Sequence, residues 1–345
     1  MATRIGRYTI QLDTSPSVIS SAAIGAKKEG EGPLAAWFDQ LEPDSTLGEE
    51  TWEKAESRLQ KEITSLALGK SGLAQEEIDL IFAGDLLNQC TSSSYGLRSF
   101  GLPLVGVYGA CSTMAESLAL AGIFVEGGFA RHAMAVTSSH FCSAEKQFRF
   151  PLEYGGQRPP TAQWTVTGAG AAIVGPSDKP PYLRAVTFGR IRDLGIRDAA
   201  NMGAAMAPAA ADTLLRYFSD TGTTPDQYDM IFTGDLGQVG SDLLLQLTAR
   251  EGLDLAGRHT DCGLLIYDRK KQPEVGAGGS GCGCAASVLC GYLLRQLKEG
   301  RFADILFMAT GALMSPTIVQ QGESIPGVAH LLHLSSTPWR KEAGL

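Results

Sequence analysis

The stretch Ile78-Asp79-Leu80-Ile81-Phe82-Ala83-Gly84-Asp85-Leu86 returns further along the chain as Tyr228-Asp229-Met230-Ile231-Phe232-Thr233-Gly234-Asp235-Leu236. The offset is 228 − 78 = 150 residues. Each copy is a short apolar run that stops at Gly-Asp, the pattern of a buried strand entering a turn. A helix-like run precedes each one, Glu49 to Leu68 before the first and Pro208 to Phe218 before the second. A second matching pair follows in the same order. Ala115-Glu116-Ser117 leads a helix closing near Glu126-Gly127-Gly128-Phe129-Ala130, with the strand Ala133 to Thr137 after it. Ala285-Ala286-Ser287 leads a helix closing near Glu299-Gly300-Arg301-Phe302-Ala303, with the strand Ile305 to Thr310 after it. Two repeats in matching order, each alternating strand and helix, predict two similar α/β halves.

The proline-rich turn Gly175-Pro176-Ser177-Asp178-Lys179-Pro180-Pro181 follows the strand Ala169 to Val174 and sets the expected boundary, with halves at 1–178 and 179–345. A polar insertion at about 141–164, with Pro151, Gly155, Gly156, Pro159 and Pro160, reads as a loop over a site or as a plain surface excursion.

The bulk composition supports this. Of 345 residues, 44% are hydrophobic and 19% charged, enough to bury a large shared core. A net charge of −8 with no basic block argues against nucleic acid as a partner. No apolar stretch approaches the length of a membrane span, and Met1 to Gln11 lack the apolar core of a secretory signal. Attachment to a membrane through a partner stays open. Seven cysteines, an odd number scattered along the chain, fit a reducing compartment and not a disulfide framework. Cys282, Cys284 and Cys290 lie close together but lack the second pair or histidine that would complete a zinc set, so they read as small packing residues and no metal is expected.

Cys111 is the residue with chemistry. In Val107-Tyr108-Gly109-Ala110-Cys111-Ser112-Thr113-Met114-Ala115 an apolar strand, Leu104 to Tyr108, turns sharply into a helix starting at about Ser112. A thiol there meets free N–H groups and the positive end of a helix dipole, which favours thiolate. Such a cysteine serves acyl transfer, and the same N–H groups serve equally to hold a carboxylate. A buried structural cysteine is the plainer alternative. Asp85 closes the first repeated strand, as a helix cap or as a site residue. His140, in Thr137-Ser138-Ser139-His140, ends the strand after the cysteine helix and is expected to face the same site. The run Gly276-Ala277-Gly278-Gly279-Ser280-Gly281 has dinucleotide-loop spacing, but the charged, proline-containing segment Asp268 to Glu274 stands where a strand is required. It reads as a close-packed turn of the second half, and no cofactor is expected.

The duplicated unit with Gly-Ala-Cys-Ser-Thr at a helix start resembles the thiolase and ketoacyl-synthase superfamily, as does Met202-Gly203 shortly before Ala207-Pro208-Ala209. The resemblance implies a thiolase fold, two α/β halves stacked as αβαβα layers, usually in a homodimer, with the site between the halves. Its enzymes pair the cysteine with a histidine and a second histidine, asparagine or cysteine from the second half. Here Asp235-Leu236-Gly237-Gln238 stands where the synthases carry one histidine, and the glycine run replaces the Gly-His-Pro turn of the thiolases. None of His132, His140, His259, His330 and His333 falls at either place. A thiolate alone cannot shuttle protons or stabilise an enolate oxygen, so a non-catalytic protein is expected.

Four segments narrow the resemblance to the stage V sporulation protein AD family: Phe82 to Gln89, Gly109 to Glu116, Thr137 to Phe141 and Phe148 to Tyr154. That family resemblance implies binding of pyridine-2,6-dicarboxylic acid (dipicolinic acid) without turnover. It also implies a peripheral place on the spore inner membrane, with partner membrane proteins that take the compound into the forespore and release it in germination. The expected ligand residues are Asp85, Cys111 and His140, with calcium carried by the diacid bridging to Asp85. Two other classes stand beside this reading: a cysteine-dependent acyl-transfer or condensing enzyme using His140 as base, and a structural subunit with an empty pocket.

Overall fold

The computed structural model describes residues 2–148 and 158–339. The first half runs β1 (Ser17–Gly25), α1 (Trp52–Ser71), β2 (Leu80–Gly84), α2 (Thr91–Leu97), β3 (Leu104–Gly106), α3 (Thr113–Glu126), β4 (Ala133–Ser139), α4 (Phe141–Phe148) and β5 (Gly168–Gly175). The second runs β6 (Tyr182–Phe188), α5 (Met202–Thr221), β7 (Met230–Thr233), α6 (Gly237–Arg250), β8 (His259–Asp261), α7 (Cys282–Val288), β9 (Asp304–Ala312) and β10 (Gly327–Ser335).

Hydrogen bonding orders the first set as β3-β2-β4-β5-β1 and the second as β8-β7-β9-β10-β6. The two orders are the same strand for strand. In each, the repeated strand is parallel to both neighbours, and the last two pairings are antiparallel. The sheets touch edge to edge through one pair, Tyr182 and Ser17.

The alternation of side chains along a strand explains how the layers stack. On β2, Ile81 and Ala83 face outward onto α1, in a cluster with Leu59 and Ile63, while Phe82 faces inward and meets Phe124 of α3 at 5.0 Å between ring centres. On β7, Ile231 faces outward with Leu214 of α5, and Phe232 faces the central cluster. Burying each of these large side chains stabilises the fold by roughly 2 kcal/mol. Helices α3 and α7 occupy the middle between the sheets, with α1 and α5 outside, which gives the five αβαβα layers.

Two expectations change here. Helix α5 begins at Met202, not at Pro208, and carries Pro208 within it. Every residue from Met202 to Ala211 is buried, so packing outweighs the one backbone bond the proline removes. The insertion at 141–164 is partly regular: Phe141–Phe148 is helical, with Ser143, Ala144 and Glu145 buried, and Trp164–Thr165 pairs in parallel with Gly279–Ser280. Pro151, Gly155 and Gly156, with most of the segment Phe148 to Tyr154, lie outside the described residues.

Candidate functional site

Strand β3 stops at Gly106, and a single tight turn, Ala110–Ser112, leads into α3. Ala110 takes φ 50°, a left-handed conformation that a residue with a Cβ seldom adopts. This elbow buries Cys111 to 5% exposure, facing the second half. Asp235, just after β7, forms the opposite wall. The Cys111 thiol faces the Asp235 carboxylate closely enough for the two to perturb each other. That carboxylate accepts from the Gly281 N–H at 2.9 Å, the Thr310 hydroxyl at 2.9 Å and the Ser280 hydroxyl at 3.3 Å. Gly281 has φ 97°, and a Cβ there would lie 2.8 Å from the Ser139 hydroxyl, so glycine is required.

The electrostatics reverse the expectation of a thiolate. Burial pushes the Cys111 thiol well above its ordinary range, and the Asp235 charge pushes it further. Burial also raises Asp235, to about 6, against the donors that pull it down. With desolvation and a carboxylate both opposing it, the dipole of α3 does not win, and Cys111 is a neutral thiol at pH 7.

Cys282 joins the site. It packs with Leu86, Cys111 and Ala144, and its thiol lies 3.0 Å from the Ser138 carbonyl. Phe148 lies against this cluster, and beyond it a cavity of about 520 Å³ is lined by Asn88, Tyr108, Lys146, Phe148, Met314 and Ser315.

The other two expected site residues sit one layer out. Asp85 is fully buried, and its oxygens accept from the Leu87 N–H at 2.8 Å, the Ser93 N–H at 2.8 Å and the Ser93 hydroxyl at 2.6 Å. It holds the turn into α2. Its neighbour Glu56, on α1, is raised by burial and by the Asp85 charge, and accepts from Ser138 and Ser143. His140 is also fully buried. Its Nε2 lies 2.7 Å from the Ser45 carbonyl, its Nδ1 accepts from the Cys142 N–H at 3.2 Å, and its ring lies 5.4 Å from that of Trp52. Both ring nitrogens are engaged, and burial lowers its pKa, so the ring is neutral. The structure therefore brings Cys111 together with Asp235 and Cys282, and leaves Asp85 and His140 on the α1 side of the first sheet. Among the described residues no group of three or more histidine, cysteine or carboxylate side chains is arranged to hold a metal ion.

With this geometry in view, the model of the family described as stage V sporulation protein AD (SpoVAD) matches residues 6–335. Stage V sporulation protein AD of Bacillus subtilis (strain 168) is 45% identical over 316 residues, 91% of this chain and 93% of that protein. The chain belongs to the stage V sporulation protein AD family.

It is thus a sporulation protein, and its fold is the thiolase fold. A single-substitution variant of OleA from Xanthomonas campestris superposes with a TM-score of 0.60 at 14% identity, over 96% of this chain and 100% of that one. The 3-oxoacyl-[acyl-carrier-protein] synthase III of Aquifex aeolicus VF5 gives 0.57 at 14%, over 93% and 99%. The priming β-ketosynthase of the R1128 polyketide pathway gives 0.53 at 16%, over 98% and 99%. At these identities the likeness is one of fold alone. Within this family member, no helix among the described residues is long and apolar enough to cross a membrane.

Asp235 is the site residue that sequence reading undervalued. It was visible as the occupant of the synthase histidine position and as the repeat partner of Asp85. Nothing local in the sequence showed that it meets a thiol 235 − 111 = 124 residues away.

Proposed function

We propose that this protein binds dipicolinic acid, free or as its calcium complex, in the niche beside Cys111 and does not turn it over. The observation that carries the reading is the Asp235 carboxylate standing beside Cys111, where a histidine is expected in the synthases. Condensing chemistry on this fold needs an oxyanion donor beside the thiol, and the Asp235 carboxylate places negative charge where the enolate oxygen would develop. The cavity next to it is the one lined by Tyr108, Phe148, Lys146 and Ser315, separated from Cys111 by Phe148. Aromatic faces and hydroxyl donors there suit a flat aromatic diacid, whose carboxylate would compete with Glu53 for Lys146.

The reading extends to a role in moving the diacid into the forespore and releasing it in germination, with peripheral attachment to the spore inner membrane and to membrane proteins there. A homodimer completes it. Edge strand β3 presents Leu104 and Val105 at 39% and 41% exposure, and a second copy paired along it would cover both.

Isothermal titration of dipicolinic acid into the purified protein, with benzoic acid as control and Cys111→Ala alongside, tests the ligand reading. Saturable binding that weakens in the variant and is absent for benzoate is expected. No heat at millimolar diacid overturns it. The acyl-transfer alternative predicts a labelled acyl group trapped on Cys111 from an acyl-thioester, an outcome the protonated thiol argues against.

A further inference from the structure

Phe148 closes helix α4 and stands between two spaces. Its ring packs against the cluster of Leu86, Cys111, Ala144 and Cys282. The same residue lines the cavity of about 520 Å³, together with Tyr108, Lys146 and Ser315. It also touches the second half, in the cluster that holds Met202, Leu236 and Met314. Tyr108 is 44% exposed and Cys111 5%, so the cavity wall meets solvent and the thiol behind the ring does not.

What surrounds the ring is pinned. The Ser143 hydroxyl donates to Glu56 at 2.6 Å, the Ala144 N–H to the His140 carbonyl at 3.0 Å, and Lys146 pairs with Glu53. Gln147 accepts from the Asn88 N–H at 3.3 Å. On the elbow, the Ser112 hydroxyl donates to Gly109 and the Thr113 hydroxyl to Ala110, both at 2.6 Å. The Phe148 ring makes no directional bond of this kind. It is half-buried and held by apolar contact, so it turns about its side-chain torsions toward the adjoining cavity without breaking a hydrogen bond. A phenyl ring that turns aside leaves a slot for one flat six-membered ring, walled by Leu86, Ala144, Cys282 and Cys111.

We propose that the Phe148 side chain occupies the place of a ligand's aromatic ring and is displaced by it, which makes Phe148 the residue that selects a single flat ring. The inference rests on the reading of the niche beside Cys111 as the ligand site, and deepens it. Displacement costs the turned ring part of its apolar burial, and a ligand offsets that only by filling the slot. A thioester does not, since its long arm stays threaded through the opening and keeps the ring turned out.

The test is Phe148→Ala in the full-length chain, with Phe148→Leu and Phe148→Trp beside it. Two probes read the slot: alkylation of Cys111 by iodoacetamide, followed on its own peptide by mass spectrometry, and benzene, followed as a rise in melting temperature. Phe148→Ala should raise the Cys111 alkylation rate about tenfold or more and gain stability from benzene, which wild type does not. Phe148→Leu should fall between the two, and Phe148→Trp should react more slowly than wild type. Dipicolinic acid should bind Phe148→Ala about tenfold more tightly than wild type, since no ring has to move. Unchanged alkylation with no benzene effect in Phe148→Ala overturns the proposal. So does an equal gain of reactivity at Cys262, buried in the second half, because that reports general loosening. If Phe148→Ala does not fold, the order Leu, wild type, Trp in alkylation rate decides the matter, and its absence overturns the proposal. A slot that opens to both probes while dipicolinic acid gives no heat with any variant removes the diacid reading and leaves the ring site standing.

Discussion

Asp85 and Asp235 end the same strand in the two halves of the molecule, yet do different work. Asp85 spends both oxygens on its own half, holding the Leu87 and Ser93 N–H groups where the chain turns into α2. Asp235 faces Cys111 across the interface and accepts from Gly281 within its own half. The cause lies on the neighbouring strand. Thr233 is paired with Asp261, whereas its counterpart Ala83 is paired with Gly106. Asp261 accepts from Leu236 at 2.8 Å, Gly237 at 3.0 Å, Gly263 at 2.9 Å and the Thr233 hydroxyl at 2.6 Å. It satisfies the turn after β7, and so releases Asp235 for the site. With glycine at 106, the first half has no such substitute, and Asp85 must hold the turn itself. One extra carboxylate in the second half separates an aspartate that holds its own turn from one that is free to face Cys111.

The comparison breaks most visibly at Asp261. Asp261→Ala leaves four donors in a fully buried place without an acceptor and should cost about 4 kcal/mol in urea unfolding. It should also draw Asp235 back to its own turn and weaken the diacid. If Asp261→Ala unfolds like wild type, the division of labour between Asp235 and Asp261 is wrong. Asp85→Ala comes next, at about 3 kcal/mol for three donors, and its ligand affinity in the surviving folded fraction should be unchanged.

Asp235→Asn separates charge from packing. Burial raises the Asp235 carboxyl to about 6, so in the pH range below that the folded chain keeps a proton the unfolded chain has released. That share of stability is complete below the ordinary carboxylate range and is lost as pH rises through about 6. Wild type should therefore lose on the order of 2 kcal/mol between about pH 4 and pH 7 from this group, and Asp235→Asn should lose the slope. Without the carboxylate, alkylation of Cys111 by iodoacetamide should rise about tenfold, the equivalent of one pKa unit. The groups facing Asp235 are Cys111, Ser280, Gly281 and Thr310, with the Asp261 charge acting through space. Of these Asp261 titrates nearest, at about 7, so the slope should be read against an Asp261→Asn control.

Much of this was legible before any coordinates. The repeated Phe82 and Phe232 strands, the Gly-Asp stops and the elbow at Cys111 are local patterns, set by burial on a period of two and by turn chemistry. Tertiary pairings were not legible. The sequence places Asp235 at a strand end, but only the packed halves place it against Cys111, and the Asp261 substitution is a register relation between two strands. Residues 141–148 carry Gln, Lys and Glu, which read as polar loop, yet bury Ser143, Ala144 and Glu145 as a helix.

His140 shows the same limit and sets the smallest effect. Its position at a strand end says nothing of which face it takes, and alternation decides it. Ser138 on β4 reaches outward to Glu56, Ser139 inward to the Gly283 N–H, and His140 outward again to Ser45 and Trp52. A residue on that face supports the layer behind the site. His140→Gln keeps a donor for the Ser45 carbonyl and loses the ring contact with Trp52, so it should cost about 1 kcal/mol of stability. Titration of dipicolinic acid into the variant should give wild-type affinity. A loss of affinity larger than tenfold, with stability kept, would mean that ligand binding turns the ring inward. In that case the first half contributes a ligand residue after all, and the contrast between the two halves is narrower than the unliganded geometry implies.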